Sequence, residues 1–433
     1  MQNKAGKRSN IKRGRVISLY KQTTATSALL DPKSTTITPE AVFLANNDPQ
    51  AIDSQFNRKY FLNLMPQYME SVYPASPIIG EDEMVQIIDE IGTDSVSQAL
   101  VYAMGAATIG LSIGSTDSLP GVMEQARFLC MRALDVRGPF RPHEPITLKY
   151  IMISHFLHMC FASQQESTTL AQLLRINEDV DGPAGPQLKK LYWVLYISER
   201  NRAIFDYRYP ILRFPKWDFP IEQVPTDVYS YWQIHLKQLL IVDDVFINNW
   251  LTRDDSDSVL SKEWIDNKHQ ALSHLPEDIT EQERPNLTEM FYFDVALTRW
   301  WIRMLLWKIA TAGGYLDSNI SSGCLYVGYP MQLARKLRRL VESTTLRLVE
   351  MNCGCVVRKM YELICPLADL IITLPSDSDE KLQNDIDNCR FLINFLYKNC
   401  RMSQTRRHVL DQKLKSVDQV FPFSAPNTSS HLP

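Results

Sequence analysis

Apolar positions recur at three- and four-residue spacing along almost the whole chain. This spacing predicts helices over 53–72, 82–91, 93–109, 118–134, 145–163, 166–177 and 186–206, then over 222–251, 260–274, 286–312, 328–350, 356–373 and 377–399. A shorter helix is expected before the polar end that starts near residue 424. Strand-period alternation is scarce, and no repeat of fixed length marks a solenoid. The fold expected is all-α: a large multi-helix domain over 53–415, preceded by a basic, polar, disordered tail and linker over 1–52 and followed by a polar tail over 416–433.

Two stretches depart from the amphipathic pattern. Lys189–Phe214 reads KKLYWVLYISERNRAIFDYRYPILRF, in which Leu191 to Ile197 are all apolar or aromatic before Glu199 and Arg200 intervene. Gly185 and Pro186 suit a helix start, because proline tolerates the first helical position. A helix apolar on every side is a buried one, and an unpaired charge in a core costs on the order of several kcal/mol. Adjacent residues do not face each other on a helix, so Glu199 and Arg200 each need a partner, and Arg202 stands three residues on from Glu199. Beyond them Tyr209-Pro210, Phe214-Pro215, Trp217 and Phe219-Pro220 form a stiff segment that cannot be helical at its prolines. The second stretch, FYFDVALTRWWIRMLLWKIA over 291–310, is long and apolar, yet its Asp294, Arg299 and Arg303 favour a core helix over a membrane span.

Charge sharpens this picture. The 433 residues carry a formal net charge of −3, but Lys4, Lys7, Arg8, Lys12, Arg13, Arg15 and Lys21 all precede the first acid, Asp31. Such a segment has little to bury and is expected to be disordered. Lys7, Arg8, Lys12, Arg13 and Arg15 are candidates for nuclear import or for contacts with DNA phosphates; the plainer alternative is a solvated tail. No run of eighteen uncharged apolar residues and no apolar leader occurs, so neither a membrane span nor a secretory signal is expected. The 8 cysteines are scattered and mostly sit in apolar helical patterns, as reduced core residues of an intracellular protein would.

Enzymatic chemistry finds little support. Gly110-Leu111-Ser112-Ile113-Gly114 matches G-x-S-x-G, but an alanine-rich helical pattern precedes it where a nucleophile elbow needs a strand. His155 and His158 share a helix face while Cys160 lies on the far side, and Cys353, Cys355 and Cys365 lack a fourth ligand for tetrahedral zinc. The acidic groups Asp243-Asp244, Asp254-Asp255-Ser256-Asp257 and Asn384-Asp385 raise the alternative of a helical terpene-cyclase-like enzyme binding diphosphate through magnesium. Asp254–Asp257 reads instead as a capping loop, and Asn388 and Leu392 stand where the Asn384 motif needs serine and glutamate. No catalytic residue and no metal ligand is assigned.

Lys189-Lys190, Tyr192-Trp193, Tyr196, Glu199-Arg200, Ala203 and Pro210 together resemble the signature of the fungal-specific transcription factor domain, the middle homology region of the zinc binuclear cluster regulators. Tyr209 stands where that family has an arginine. The resemblance covers most of residues 55–250 and implies a helical regulatory domain in which Trp193, Tyr196, Glu199, Arg200 and Pro210 are structural. It implies a nuclear, non-enzymatic transcription regulator, with secondary-metabolite gene clusters as the first expectation and nutrient catabolism, or co-regulation through a full-length paralogue, as alternatives. The partners implied are DNA, reached directly through a missing module or through a partner protein, a second copy or paralogue as dimer partner, and a small-molecule effector; no membrane is involved. The family's six-cysteine zinc module is absent, since no cysteine precedes Cys130 and no C-x-x-C occurs. No cofactor is expected in this chain, and zinc only if a binuclear cluster is missing from its N-terminus.

Overall fold

The computed structural model describes residues 55–112, 120–138, 146–161, 185–215, 217–220, 224–252, 260–274, 289–344, 353–373, 380–400 and 402–421, and among these described residues helical spacing becomes fourteen helices. All of these lie in one unit, Gln55–Pro433. In chain order the helices are α1 (Arg58–Ser71), α2 (Glu81–Asp89), α3 (Ser95–Ser112), α4 (Pro120–Arg137), α5 (Leu148–Phe161), α6 (Gly185–Asp206) and α7 (Thr226–Leu239). They continue as α8 (Asp244–Leu251), α9 (Lys262–His274), α10 (Glu289–Gly313), α11 (Tyr329–Ser343), α12 (Cys353–Thr373), α13 (Glu380–Asn399) and α14 (Gln404–Val420). No strand occurs among the described residues; Asp317 and Tyr326 form an isolated bridge. The fold class is all-α, as the apolar spacing indicates.

Two elements differ from their sequence expectation, and in one the helix expected over 328–350 stops at Ser343, where Thr344 is extended at φ −107° and ψ 143°. The helix expected over 222–251 is two, α7 and α8, because Asp243 accepts a hydrogen bond from the Phe246 amide at 2.8 Å and starts a new helix. Lys268 from α9 fixes the break, donating to the Ile241 carbonyl at 3.1 Å and to the Asp243 carboxylate at 2.5 Å. A side-chain cap here overrides an apolar period that would run straight through. The helix expected over 166–177 lies outside the described residues, and so does the tail over 1–52.

The helices pack in two groups. In the first, α3 is buried along most of its length and touches α1, α2, α4 and α5. Gly105 makes this approach close: a Cβ there would sit 2.8 Å from the Phe61 ring of α1. In the second group, α10 packs against α7, α8, α9, α11 and α12, and α12 packs in turn against α11, α13 and α14. Helix α6 touches α5, α7 and α8 and so joins the groups. Side chains reinforce the joint: the Gln187 amide donates to Glu83 at 2.5 Å, and the Trp232 indole of α7 donates to the Pro74 carbonyl at 3.0 Å. No helix among the described residues is long and apolar enough to cross a membrane.

Candidate functional site at the end of helix α6

The seven residues Leu191–Ile197 are all buried, so α6 is enclosed on every side as its composition demands. The helix stops where Tyr207 turns into the left-handed region at φ 52° and the Arg208 amide closes back on the Ala203 carbonyl at 3.1 Å. That is a Schellman-type end, which usually falls to glycine; a tyrosine there stores on the order of 1 kcal/mol of strain. Its ring stacks on Trp250 at 5.7 Å, and the Trp250 indole donates to the Ile204 carbonyl at 3.1 Å. Aromatic packing thus offsets the strain and fixes the direction in which the chain leaves.

The departing chain folds back over α6. The Glu199 carboxylate accepts from the amides of Ile211 at 2.9 Å and Leu212 at 2.8 Å. Pro210 has no amide to offer, so the first donors after it are the two that this carboxylate takes. Arg200 donates to the Leu212 carbonyl at 3.5 Å and to Asp244 in the first turn of α8, with its guanidinium 4.6 Å from the centre of the Tyr196 ring. Tyr192 donates to the Arg213 carbonyl at 2.8 Å and Trp193 to the Trp217 carbonyl at 3.2 Å, while the Phe214 ring meets Trp193 and Tyr196 edge to face. Tyr192, Trp193, Tyr196, Glu199 and Arg200 therefore all touch the chain that follows Pro210. Arg202, which the spacing offered to Glu199, instead pairs with Asp206 at 3.2 Å.

The charges at this site are unequally enclosed: the Arg200 side chain is 1% exposed and that of its partner Asp244 is 78%. Burial raises Glu199 above the usual carboxylate range, against the pull of the two amides, Arg208 and Arg200. Burial also pushes the Tyr192 and Tyr196 hydroxyls up to about 12. Outside, Tyr209 and Phe214 present large exposed rings on the segment that Glu199 and Arg200 hold. The Tyr209 hydroxyl lies 3.4 Å from Asn248, so the residue replacing the family's arginine faces α8 from outside.

A second buried charge cluster escaped the sequence reading. Asp294 of α10 pairs with Lys359 of α12 at 3.0 Å, accepts from the Tyr231 hydroxyl of α7 at 2.8 Å and stands 3.5 Å from His235. Lys359 also donates to Thr298 at 2.6 Å. Burial alone would raise Asp294, but Lys359 and its hydrogen bonds hold it at about 2, while burial drops His235 to about 4. Asp294 was visible as a charge in an apolar helix; Lys359, inside an apolar helix of its own, was the partner to seek.

The remaining candidates are accounted for by packing or lie elsewhere. His155 is buried 2.9 Å from the Ser76 hydroxyl, and burial lowers His155 to about 4 and His158 to about 3. Asp243 caps α8, Asp244 meets Arg200, and Asp385 accepts from Nε and Nη2 of Arg335, both at 2.7 Å. Those acids are thus committed to protein partners. Asp254–Asp257, Ile113-Gly114 and the basic Lys7, Arg8, Lys12, Arg13 and Arg15 lie outside the described residues. Cys130, Cys324, Cys365, Cys389 and Cys400 are buried free thiols, and no group of three metal-ligating side chains occurs among the described residues. A six-cysteine zinc module does not fit this set of described residues.

No family model matches the chain, and no solved structure does. The chain is similar to a probable sucrose utilization protein of Candida albicans, 23% identical over 359 residues that make up 76% of this chain and 64% of that protein. It thus spans less than two thirds of that relative's length. It is also similar to two maltose fermentation regulatory proteins of Saccharomyces cerevisiae. One is 19% identical over 386 residues, 83% of this chain and 78% of that protein; the other is 21% identical over 359 residues, 77% and 72%. By this similarity the chain stands beside yeast proteins of sugar utilization, two of them named as regulatory proteins.

Proposed function

We propose that this protein regulates transcription of genes for carbohydrate use, acting in the nucleus through the helical unit described above. The observation that carries the reading is the similarity to sugar-utilization and maltose regulatory proteins over more than three quarters of the chain. Those relatives speak for nutrient catabolism, and the expectation of a secondary-metabolite gene cluster gives way to it. The signature stretch over Lys189–Pro210 supports the same reading through its resemblance to the zinc binuclear cluster regulators. DNA is reached directly or through a partner protein, with the basic Lys7, Arg8, Lys12, Arg13 and Arg15 adding phosphate contacts or nuclear import. The clamp at the end of α6 is the regulatory element: effector or partner binding shifts the equilibrium of the 207–217 segment, which Glu199 and Arg200 hold at the protein surface.

Deleting the gene in its own host and measuring transcripts of disaccharide transport and hydrolysis genes on sucrose or maltose tests this. Induction is expected to disappear, to return with the wild-type chain and to stay absent with Arg200→Ala. Unchanged induction in the deletion strain overturns the reading.

A further inference from the structure

Helices α12 and α14 run parallel: Arg406, in the first turn of α14, lies 6.0 Å from the ring of Tyr361, two turns into α12, and Lys413 meets Asp369 two turns further along both. The amino end of α14 therefore lies beside the first turns of α12. A helix amino end carries about half a positive charge and favours acids, yet neither first turn holds one. Arginine stands there instead, Arg406 in the first turn of α14 and Arg358 one turn into α12. Helix α6 brings Arg202 to the same place, Arg208 follows just past its end, and His158 comes from α5; the charges of Arg202, Arg208 and Arg358 all bear on His158.

Carboxylates of the described residues do not balance this gathering. Asp206 is shared, 3.2 Å from Arg202 and 3.4 Å from Arg358. The other acids whose charge reaches these guanidiniums are committed, Glu199 to the Ile211 and Leu212 amides and Glu362 to Lys308. Among the described residues, Arg208, Arg358 and Arg406 thus have one available carboxylate to draw on, Asp206, which Arg202 also meets. The Arg208 Nε and the His158 Nδ1 are buried without a hydrogen-bond partner, a state that ordinarily costs about 1–3 kcal/mol per group. The Phe205 and Tyr361 rings lie under Arg358, at 5.3 Å, and under Arg406, so the planar forks are held in place before anything binds.

We infer that the basic end of α6, α12 and α14 binds a small molecule through a phosphoryl group, held by Arg202, Arg208, Arg358 and Arg406. A phosphoryl dianion offers three acceptor oxygens and matches the excess charge, whereas one carboxylate leaves most of it unmet. Duplex DNA fits less well, because these side chains are recessed: Arg202 is 17% and Arg358 23% exposed. The same chemistry would take inorganic phosphate, a sugar phosphate or a nucleotide.

The test uses the full chain and reads binding alone, so it stands whether or not the protein regulates genes. Sodium phosphate, glucose 6-phosphate and AMP are titrated by calorimetry and thermal unfolding against sodium chloride at matched ionic strength, with glucose and adenosine as controls. Saturable binding of at least one phosphorylated probe is expected, weakened at least tenfold in Arg358→Gln and in Arg208→Gln. Arg208 has no ion pair to lose, so its variant tests the site even if Arg358→Gln fails to fold. Binding no stronger than that of chloride, or equal binding by the Arg208 variant, overturns the proposal. Displacement of the probes by a short DNA duplex with the same arginine dependence also overturns it, in favour of a nucleic-acid surface.

Discussion

The end of α6 and the junction of α7, α10 and α12 each bury a carboxylate with a cation, and they do so for opposite ends. At the junction Asp294 and Lys359 join two helices, and Tyr231, His235 and Thr298 complete the enclosure. At α6 the carboxylate and guanidinium reach outward, to backbone groups of a segment without helix and to an acid that faces water. The first arrangement locks regular elements together; the second pins a segment without helix onto α6. One carboxylate sits at about 2, and the other lies above the ordinary range. Buried charge at the junction is a fastening, and at α6 it is a latch.

The sharpest break in this comparison comes from the junction. Lys359→Met leaves Asp294 buried without its cation and is expected to lower global stability by about 3–5 kcal/mol in urea unfolding. Adding Asp294→Asn should recover most of the loss, since a buried pair replaced as a pair is close to neutral. If the double variant falls as far as the single one, the pair is not what fastens these helices. Next, Arg200→Ala removes hydrogen bonds to a charged group and is expected to cost about 2–3 kcal/mol. Its effect should be local: amide exchange should accelerate over 207–215 while α10 and α12 keep their protection. Uniform acceleration through both regions would erase the distinction between latch and fastening.

The smallest effect is in acid. His235 has a folded value of about 4, below the ordinary 6.5, so the native state excludes its proton. The stability it contributes is present above pH 6.5 and lost as pH falls toward 4. Glu199 is displaced the other way, so its end of the molecule gains as pH falls through the window above the usual 4.5. Between pH 6.5 and 5, His235→Gln should therefore reduce the acid loss by about 2 kcal/mol. An unchanged slope, followed by calorimetric unfolding, would remove His235 from the account.

How much of this was legible follows from what a sequence displays. The apolar run from Leu191 to Ile197, cut by Glu199 and Arg200, announces a buried helix whose charges need partners. It cannot announce that Glu199 takes backbone amides, because every residue but proline carries one. Asp244 stands 44 residues from Arg200 and was weighed as a magnesium ligand, not as the partner of an arginine. Lys359 lies 65 residues from Asp294, and only the packing of α10 on α12 makes them neighbours. The break between α7 and α8 was hidden for a related reason: apolar spacing continues through it, and Asp243 is an ordinary residue until its carboxylate caps a helix.

The hydrogen bond from the Trp232 indole to the Pro74 carbonyl spans 158 residues. Synthesis at about 5–20 residues per second separates these partners by roughly 8–30 s, far longer than a helix needs to form. Helices α1 to α5 therefore leave the ribosome and wait, with part of the surface that α6 and α7 later cover exposed to whatever holds nascent chains. Misfolding during that interval is a route of loss separate from unfolding of the finished fold.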